Sequence, residues 1–421
     1  MNPILPLQHF VPDAEARVWN DGRIYIYGSY DISGNTFYCS NEYRVFSSDD
    51  LIYWEDHGVC FKAIGPNSDV PWSEASLFAP DCIYKDGLYY LFFCMADNSE
   101  GVATSKFPFG PFKNAKPVQG AHKDAIDPAV LLDDDGQAYL YWGQFHLRGA
   151  RLKSDMSGIE PETLCTSLLN EKEHGFHEGA SIRKRNDIYY LVYTDISRGR
   201  ATCLSYATSK SPLGPFEKKG VIIDNTGCDP QTWNNHGSIA EFKGQWYVFY
   251  HRSSQASNYN RRVCVEPIYF DEEGNIKEVE MTTQGASWNI PAKTKMEACR
   301  ACLLSGNVRI EPRETGGQLF ECLSMIQNGD WAAFKYFDFS ENVSSFNAEV
   351  SSLTYGGEIE IRIDSPNGPV IGNCCVEHTG GWNKWQVVSC RVNKVSGVHA
   401  VYLIFKGRIG RLFDLKSFYF E

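Results

Sequence analysis

Residues 126–143 read IDPAVLLDDDGQAYLYWG: a polar residue near the start, a short apolar run, a turn at Asp134-Asp135-Gly136, then a strand dense in aromatics. Alternating apolar residues on both sides of a turn have the period of paired strands, so the segment predicts a β-hairpin. The phrase recurs as PDAEARVWNDGRIYIYG from Pro12, APDCIYKDGLYYLFF from Ala79, HEGASIRKRNDIYYLVYT from His177 and NHGSIAEFKGQWYVFYH from Asn235. Turns such as Asn20-Asp21-Gly22 and Lys85-Asp86-Gly87 carry the Gly or Asn that tight hairpins need for positive φ. Asp133, Asp134 and Asp135 are read as turn chemistry for that reason, not as catalytic groups.

A second unit alternates with the first. ATSKFPFGPF from Ala103 and ATSKSPLGPF from Ala207 agree at eight of ten positions. Each period thus holds about four short strands, and five periods end near residue 290, which predicts a five-bladed β-propeller over residues 1–290. The inner strand of each blade lines the central channel. The opening polar residues Asp13, Asp81, Asp127, Glu178 and His236, spaced 46 to 68 apart in sequence, should therefore approach one axis. The longer excursions from Ser29 to Val45, with Phe37 and Tyr38, and from Ile64 to Phe78, with Trp72, are expected to form the rim of the funnel.

The pattern loosens over residues 291–315, read as a linker. From 316 to 421 strand alternation resumes with regular turn clusters, as in a β-sandwich of the jelly-roll kind. The chain is expected to be all-β throughout.

The formal charge of −12 and the lack of any dense Lys/Arg run exclude nucleic acid or an anionic membrane as the natural partner, and favour an uncharged one. Aromatics at 14% suit half-buried strands and surfaces that stack on sugars. Neither a signal-type N-terminus nor a span of membrane length is visible, so a cytoplasmic protein is expected. The fourteen cysteines are scattered, which suits reduced core thiols, and Cys299-x-x-Cys302 lacks the second pair of a zinc site.

Carboxylates facing one channel suit glycoside hydrolysis: one gives a proton to the leaving oxygen while another activates water or attacks carbon. A third can hold the acid's pKa high by like-charge repulsion. On these grounds alone the same acids could instead coordinate an ion in a glycan-binding protein that catalyses nothing.

The segments PDAEARVWNDGRIYIYGSYD, AIDPAVLLDDDGQAYLYWG, FHEGASIRK and NNHGSIAEFKGQWYVFYHR resemble, in order, the blade motifs of glycoside hydrolase family 43. That resemblance implies an inverting arabinofuranosidase or β-xylosidase acting on arabinose- or xylose-containing oligosaccharides, with exo action favoured. It implies Asp13 as general base, Asp127 as the group that raises and orients the acid, and Glu178 as general acid. His236 would be the axial histidine of a calcium site, Phe78 a ring that stacks on the pentose, and Asp81 part of the pocket wall. Arg261 or Arg262 would clamp the substrate, with Arg261 preferred. The final segment resembles a family 6 carbohydrate-binding module, with Trp382 the sugar-stacking candidate. It departs from that pattern at Met325, where an aromatic is usual, and at Asp414, near a usual Asn. A phosphorylase on the same propeller is the second enzymatic reading.

Overall fold

The computed structural model describes residues 1–38, 40–121 and 124–421. Five consecutive sheets span Glu15–Lys62, Asp81–Pro117, Ala129–Asn170, Phe176–Asp224 and Ser238–Ile268, the first four with four strands each and the last with three. They are the blades of a five-bladed β-propeller.

Turn chemistry sets the hairpins. In the second blade Lys85 pairs with Leu88 across Asp86 and Gly87, both at positive φ, and in the fifth Phe242 pairs with Gln245 across Lys243 and Gly244, likewise positive. Two-residue loops of this hand match the twist of the flanking strands. The repeated FPFGPF and SPLGPF elements also coincide: Gly110 and Gly214 both take positive φ, and each stands before the outer strand of its blade.

Period-two alternation on the tyrosine-rich strands builds the spaces between blades. On Ile188–Asp195, Leu191 and Tyr193 pack with Leu131 and Tyr141 of the third blade, while Tyr190 and Val192 pack with Ile239 and Val248 of the fifth. Leu91 and Phe93 face the first blade, and Phe92 the third. Each aromatic strand is therefore buried on both faces, which accounts for its near-continuous apolar character. Trp72 belongs to this packing. Contrary to the expected rim position, it lies half-buried against Phe93, ring centroids 6.2 Å apart.

The ring closes between the fifth blade and the first. Ala14 bridges Gly237 in parallel, and Ala16, Ile26 and Phe46 pack against Phe249, Val263 and Val265. The N-terminal segment runs along the outer edge of the fifth sheet: Ile4 N–H donates to Val263 O, and the Asn2 side chain bonds both backbone groups of Val265.

Two six-stranded sheets form the C-terminal β-sandwich around a core that includes Phe334, Phe337, Phe346, Leu403, Phe405 and Phe418. The stretch expected as a linker is part of it. Ile290–Pro291 and Leu303–Leu304 pair with Trp331–Asp338, and Arg309–Thr315 pairs with Gln318–Ser324. Strands of two residues are too short to show alternation, which is why the sequence pattern there looks loose. Ala333, Ala400, Tyr402 and Ile404 of the sandwich share one apolar cluster with Tyr190, Ile239 and Tyr250 of the propeller, so the two domains pack firmly together.

Candidate active site

Asp13 and Asp127 stand just before the inner strands of their blades, Glu15–Val18 and Ala129–Leu132, and share a left-handed backbone, φ 57° and 54°. Aspartate is among the residues that tolerate this region, and here the turn aims both carboxyls at the axis. Glu178 lies on the inner strand Phe176–Arg185 and is followed by Gly179 at φ 68°. A Cβ at Gly179 would meet Thr194 Oγ1 at 2.7 Å and His236 Cγ at 2.9 Å, so only glycine lets the strand approach the imidazole this closely.

These residues meet. His236 Nδ1 is 3.7 Å from Asp13 Oδ1 and 3.9 Å from Asp127 Oδ2. The Gly179 N–H donates to the Asp127 carboxyl, and the Asp127 N–H to Cys94 Sγ at 3.1 Å. Glu178 accepts from Gln144 Nε2 at 2.8 Å and, weakly, from Asn234 Nδ2 at 3.5 Å. Asp13 and Asp127 are buried, whereas Glu178 is only half-buried and open to a ligand.

Surroundings divide the acids. Burial raises the Asp13 pKa, but Arg261 Nη1 at 2.9 Å, His251 and His236 outweigh it and hold the carboxyl well below the usual range, with Ser29 Oγ donating to its second oxygen at 2.6 Å. Asp13 is therefore an anion at working pH. Burial, then the charges of Glu178 and Asp13, push Asp127 well above its ordinary value, toward the protonated form. Burial lowers His236 and His251, which keeps both imidazoles neutral.

Several of these partners were not legible in the sequence. Arg261 spans two acids: besides Asp13, it bonds Asp31 through Nε at 3.0 Å and Nη2 at 2.9 Å. Burial pushes Asp31 up to about 6 despite that contact. Arg261 is thus engaged with protein carboxylates and fixes Asp13, where the resemblance implied a sugar clamp. Glu100 is buried, both its oxygens lack a hydrogen-bond partner, and burial together with the Asp127 charge raises its pKa strongly.

Below this layer lies a second one. Arg17 grips Asp81 through Nε at 3.0 Å and Nη2 at 2.5 Å, Arg183 Nη2 is 2.6 Å from Glu15, and Ser181 also bonds Glu15. Asp81 bonds the Val130 N–H as well. Asp81 therefore sits in an ion-paired plug of the channel, a layer away from Asp13, and not in the pocket wall.

Phe78 is half-buried near the axis: its N–H donates to the carbonyl of Cys94, and its own carbonyl accepts from the Tyr43 hydroxyl. Tyr38 packs edge-on against Tyr259 at 4.8 Å and under the Arg261 guanidinium, while Phe37, Trp233 and Phe145 are exposed. Arg262 points away from the axis to the sandwich. Trp382, the sugar-stacking candidate, carries the Arg411 guanidinium 3.7 Å above its ring. Arg411 is in turn fixed by Asp414 at 2.6 and 2.7 Å, so one face of Trp382 is covered.

The residues at the axis do not make a direct calcium site. The Asp13 oxygens already receive Arg261 and Ser29, and no group of three or more His, Cys, Asp and Glu side chains among the described residues could hold a metal.

A propeller whose axis joins an anionic carboxylate to a carboxyl pushed toward its protonated form and a more open glutamate has the machinery of a glycoside hydrolase. Residues 1–276 match glycosyl hydrolases family 43 and residues 297–421 match the family 6 carbohydrate-binding module, so the chain belongs to family 43 and is a glycoside hydrolase. A xylosidase/arabinosidase of Thermoclostridium stercorarium is 32% identical, covering 99% of this chain and 98% of its own. An arabinoxylan arabinofuranohydrolase of Paenibacillus polymyxa is 31% identical over 95% of this chain and 71% of its own. Among solved structures, a family 43 arabinoxylan arabinofuranohydrolase from Bacillus subtilis, in complex with cellotetraose, superposes with TM-score 0.58 at 29% identity over 100% of this chain and 97% of that one. A family 43 β-xylosidase/α-arabinofuranosidase from a compost metagenome, solved with xylotriose in a calcium-free form, gives TM-score 0.58 at 31% identity over 66% of this chain and 97% of its own.

Proposed function

We propose that this enzyme removes α-L-arabinofuranosyl or β-D-xylosyl units from plant cell-wall oligosaccharides and polysaccharides, acting from the chain end with inversion. The observation that carries the reading is the unequal setting of the carboxyls in one pocket: Arg261 at 2.9 Å holds Asp13 as an anion, while burial and the charges of Glu178 and Asp13 push Asp127 beside it above its ordinary value. Asp13 takes a proton from the water that attacks the anomeric carbon. Glu178, the more open acid, gives its proton to the departing glycosidic oxygen. Asp127 orients that acid, and because the two carboxyls oppose each other's ionisation the pair favours keeping a proton between them.

The names of the relatives support both pentoses as substrates. A phosphorylase is disfavoured by the charge balance, because an incoming phosphate would meet Asp13 while Arg261 is occupied by Asp13 and Asp31. Calcium, as part of this reading, is an axial ion held through water near His236, and no step depends on it. The described cysteines are free thiols, most of them buried, which supports the expected cytoplasmic setting. The test is a panel of aryl and oligomeric pentosides: release of arabinose or xylose is expected, and a folded enzyme that releases neither overturns the assignment.

A further inference from the structure

Arg261 and Arg262 are neighbours on the strand Ser257–Ile268, so their side chains leave it on opposite faces. Arg261 reaches the axis and Arg262 reaches the C-terminal sandwich. There Arg262 meets Glu321 in a two-pronged pair, Nη1 to Oε2 and Nη2 to Oε1, each 2.9 Å, with side chains 3% and 8% exposed. The same guanidinium donates to the Leu7 carbonyl at 2.5 Å and lies 4.2 Å over the Phe10 ring. Leu7 and Phe10 belong to the segment that ends at Asp13. The Phe10 carbonyl in turn accepts from the Asp31 N–H at 2.9 Å, and Asp31 grips Arg261.

Glu321 has a second arm. Its Oε1 accepts from Gln255 Nε2 at 2.5 Å, and Gln255 Oε1 accepts from Ser33 and from Asn260, the residue before Arg261. One carboxylate of the sandwich thus anchors the strand that carries Arg261, the segment that carries Asp13, and the first-blade insertion.

We infer that Glu321 is a positioning residue for the catalytic base, acting through Arg262, so that the C-terminal module holds the active site in its working geometry whether or not it binds sugar. The inference rests on the assignment of Asp13 as base. Removing Glu321 leaves a buried guanidinium unpaired beside the segment it orders, and that segment shifts to relieve it. A small displacement of a general base costs turnover and leaves contacts elsewhere on the substrate intact.

The experiment uses the full chain with Glu321→Ala and Glu321→Asp, and Glu321→Gln in place of alanine should the latter not fold. With aryl pentosides, Glu321→Ala is expected to lower kcat about tenfold with KM nearly unchanged, equally for good and poor leaving groups, since the defect is in the base. Glu321→Asp should recover part of that loss. A lower melting temperature with kcat per folded molecule unchanged would mean that the pair only fastens the domains, and overturns the proposal. Asp13→Asn, measured alongside, checks the assignment beneath it: undiminished turnover in that variant removes the base itself, whatever Glu321 does.

Discussion

The propeller axis carries two layers of charge built from the same kinds of residue on the same strands, and they behave in opposite ways. In the lower layer Glu15 and Asp81 face Arg17 and Arg183, so acids and bases balance and every carboxylate has a guanidinium. In the upper layer Asp13, Asp31, Asp127 and Glu178 have, among the described residues, one hydrogen-bonded cation between them, Arg261, and it reaches only Asp13 and Asp31. Confined like charges oppose one another's ionisation, so the upper layer favours protonated carboxyls while Asp13 stays anionic. Matching makes the lower layer a plug, and mismatch makes the upper layer an acid–base machine.

The largest effects of substitution are expected in the upper layer. Asp13→Asn should reduce hydrolysis about 10⁴-fold for every substrate, because activation of water is lost whatever the leaving group. Glu178→Gln should cost nearly as much on oligosaccharides and much less on aryl pentosides with acidic phenols, which leave unassisted. Rates on such a substrate pair for both variants check the split, and a leaving-group dependence in Asp13→Asn would reverse the roles.

The lower layer should respond in stability. Asp81→Asn leaves buried Arg17 with a poorer partner and is expected to cost about 3 kcal/mol by denaturant unfolding, with kcat per folded molecule unchanged. A large loss of turnover without loss of stability would bring Asp81 into the chemistry.

A smaller effect sharpens the rule at a third buried acid. Glu266 bonds Asn2, Tyr250 and Thr282 and lies 3.4 Å from Arg252, yet burial lifts its pKa from 4.5 to about 7. A carboxyl with a raised folded-state pKa contributes stability that is complete below its ordinary value and lost as pH rises through the folded value. The melting temperature should therefore fall by a few degrees more in the parent than in Glu266→Gln as pH goes from 4.5 to 7. Parallel curves would show that Glu266 stays ionised. The smallest change is expected from chelation: with no direct ligand set among the described axial residues, excess chelator should leave the initial rate within error, and a loss restored by calcium would place the ion in the working site.

Much of the architecture was legible because it is local. Hairpin turns and tyrosine-rich alternation specify each blade within about twenty residues, and the placing of Asp13, Asp127 and Glu178 at the start of the inner hairpins follows from the repeat. What escaped was non-local or layered. Asp31 and Arg261 are 230 residues apart, and only closure of the ring joins them. Asp81 opens its phrase like Asp13, but it is the first residue of its strand, whereas Asp13 lies in a left-handed turn ahead of one, so the two fall in different layers. A signal for Arg261 and Arg262 did exist: adjacent arginines leading into the apolar run Val263–Val265 of a strand need an acid on each of its faces. The sequence pattern offered no way to choose which face met the sandwich. Gln144 and Asn234, neutral and just outside the strands, gave no charge pattern to follow, although each is close in sequence to a phrase already recognised.

In the proposed reaction Asp13 directs water to the anomeric carbon in a single displacement. Proton NMR of the first sugar released from an oligosaccharide, recorded before mutarotation, tests it most directly. The new hemiacetal is expected with the anomeric configuration opposite to that of the bond cleaved. Release of the same anomer would require a covalent intermediate on one of these carboxylates and would contradict the assignment of Asp13 as base.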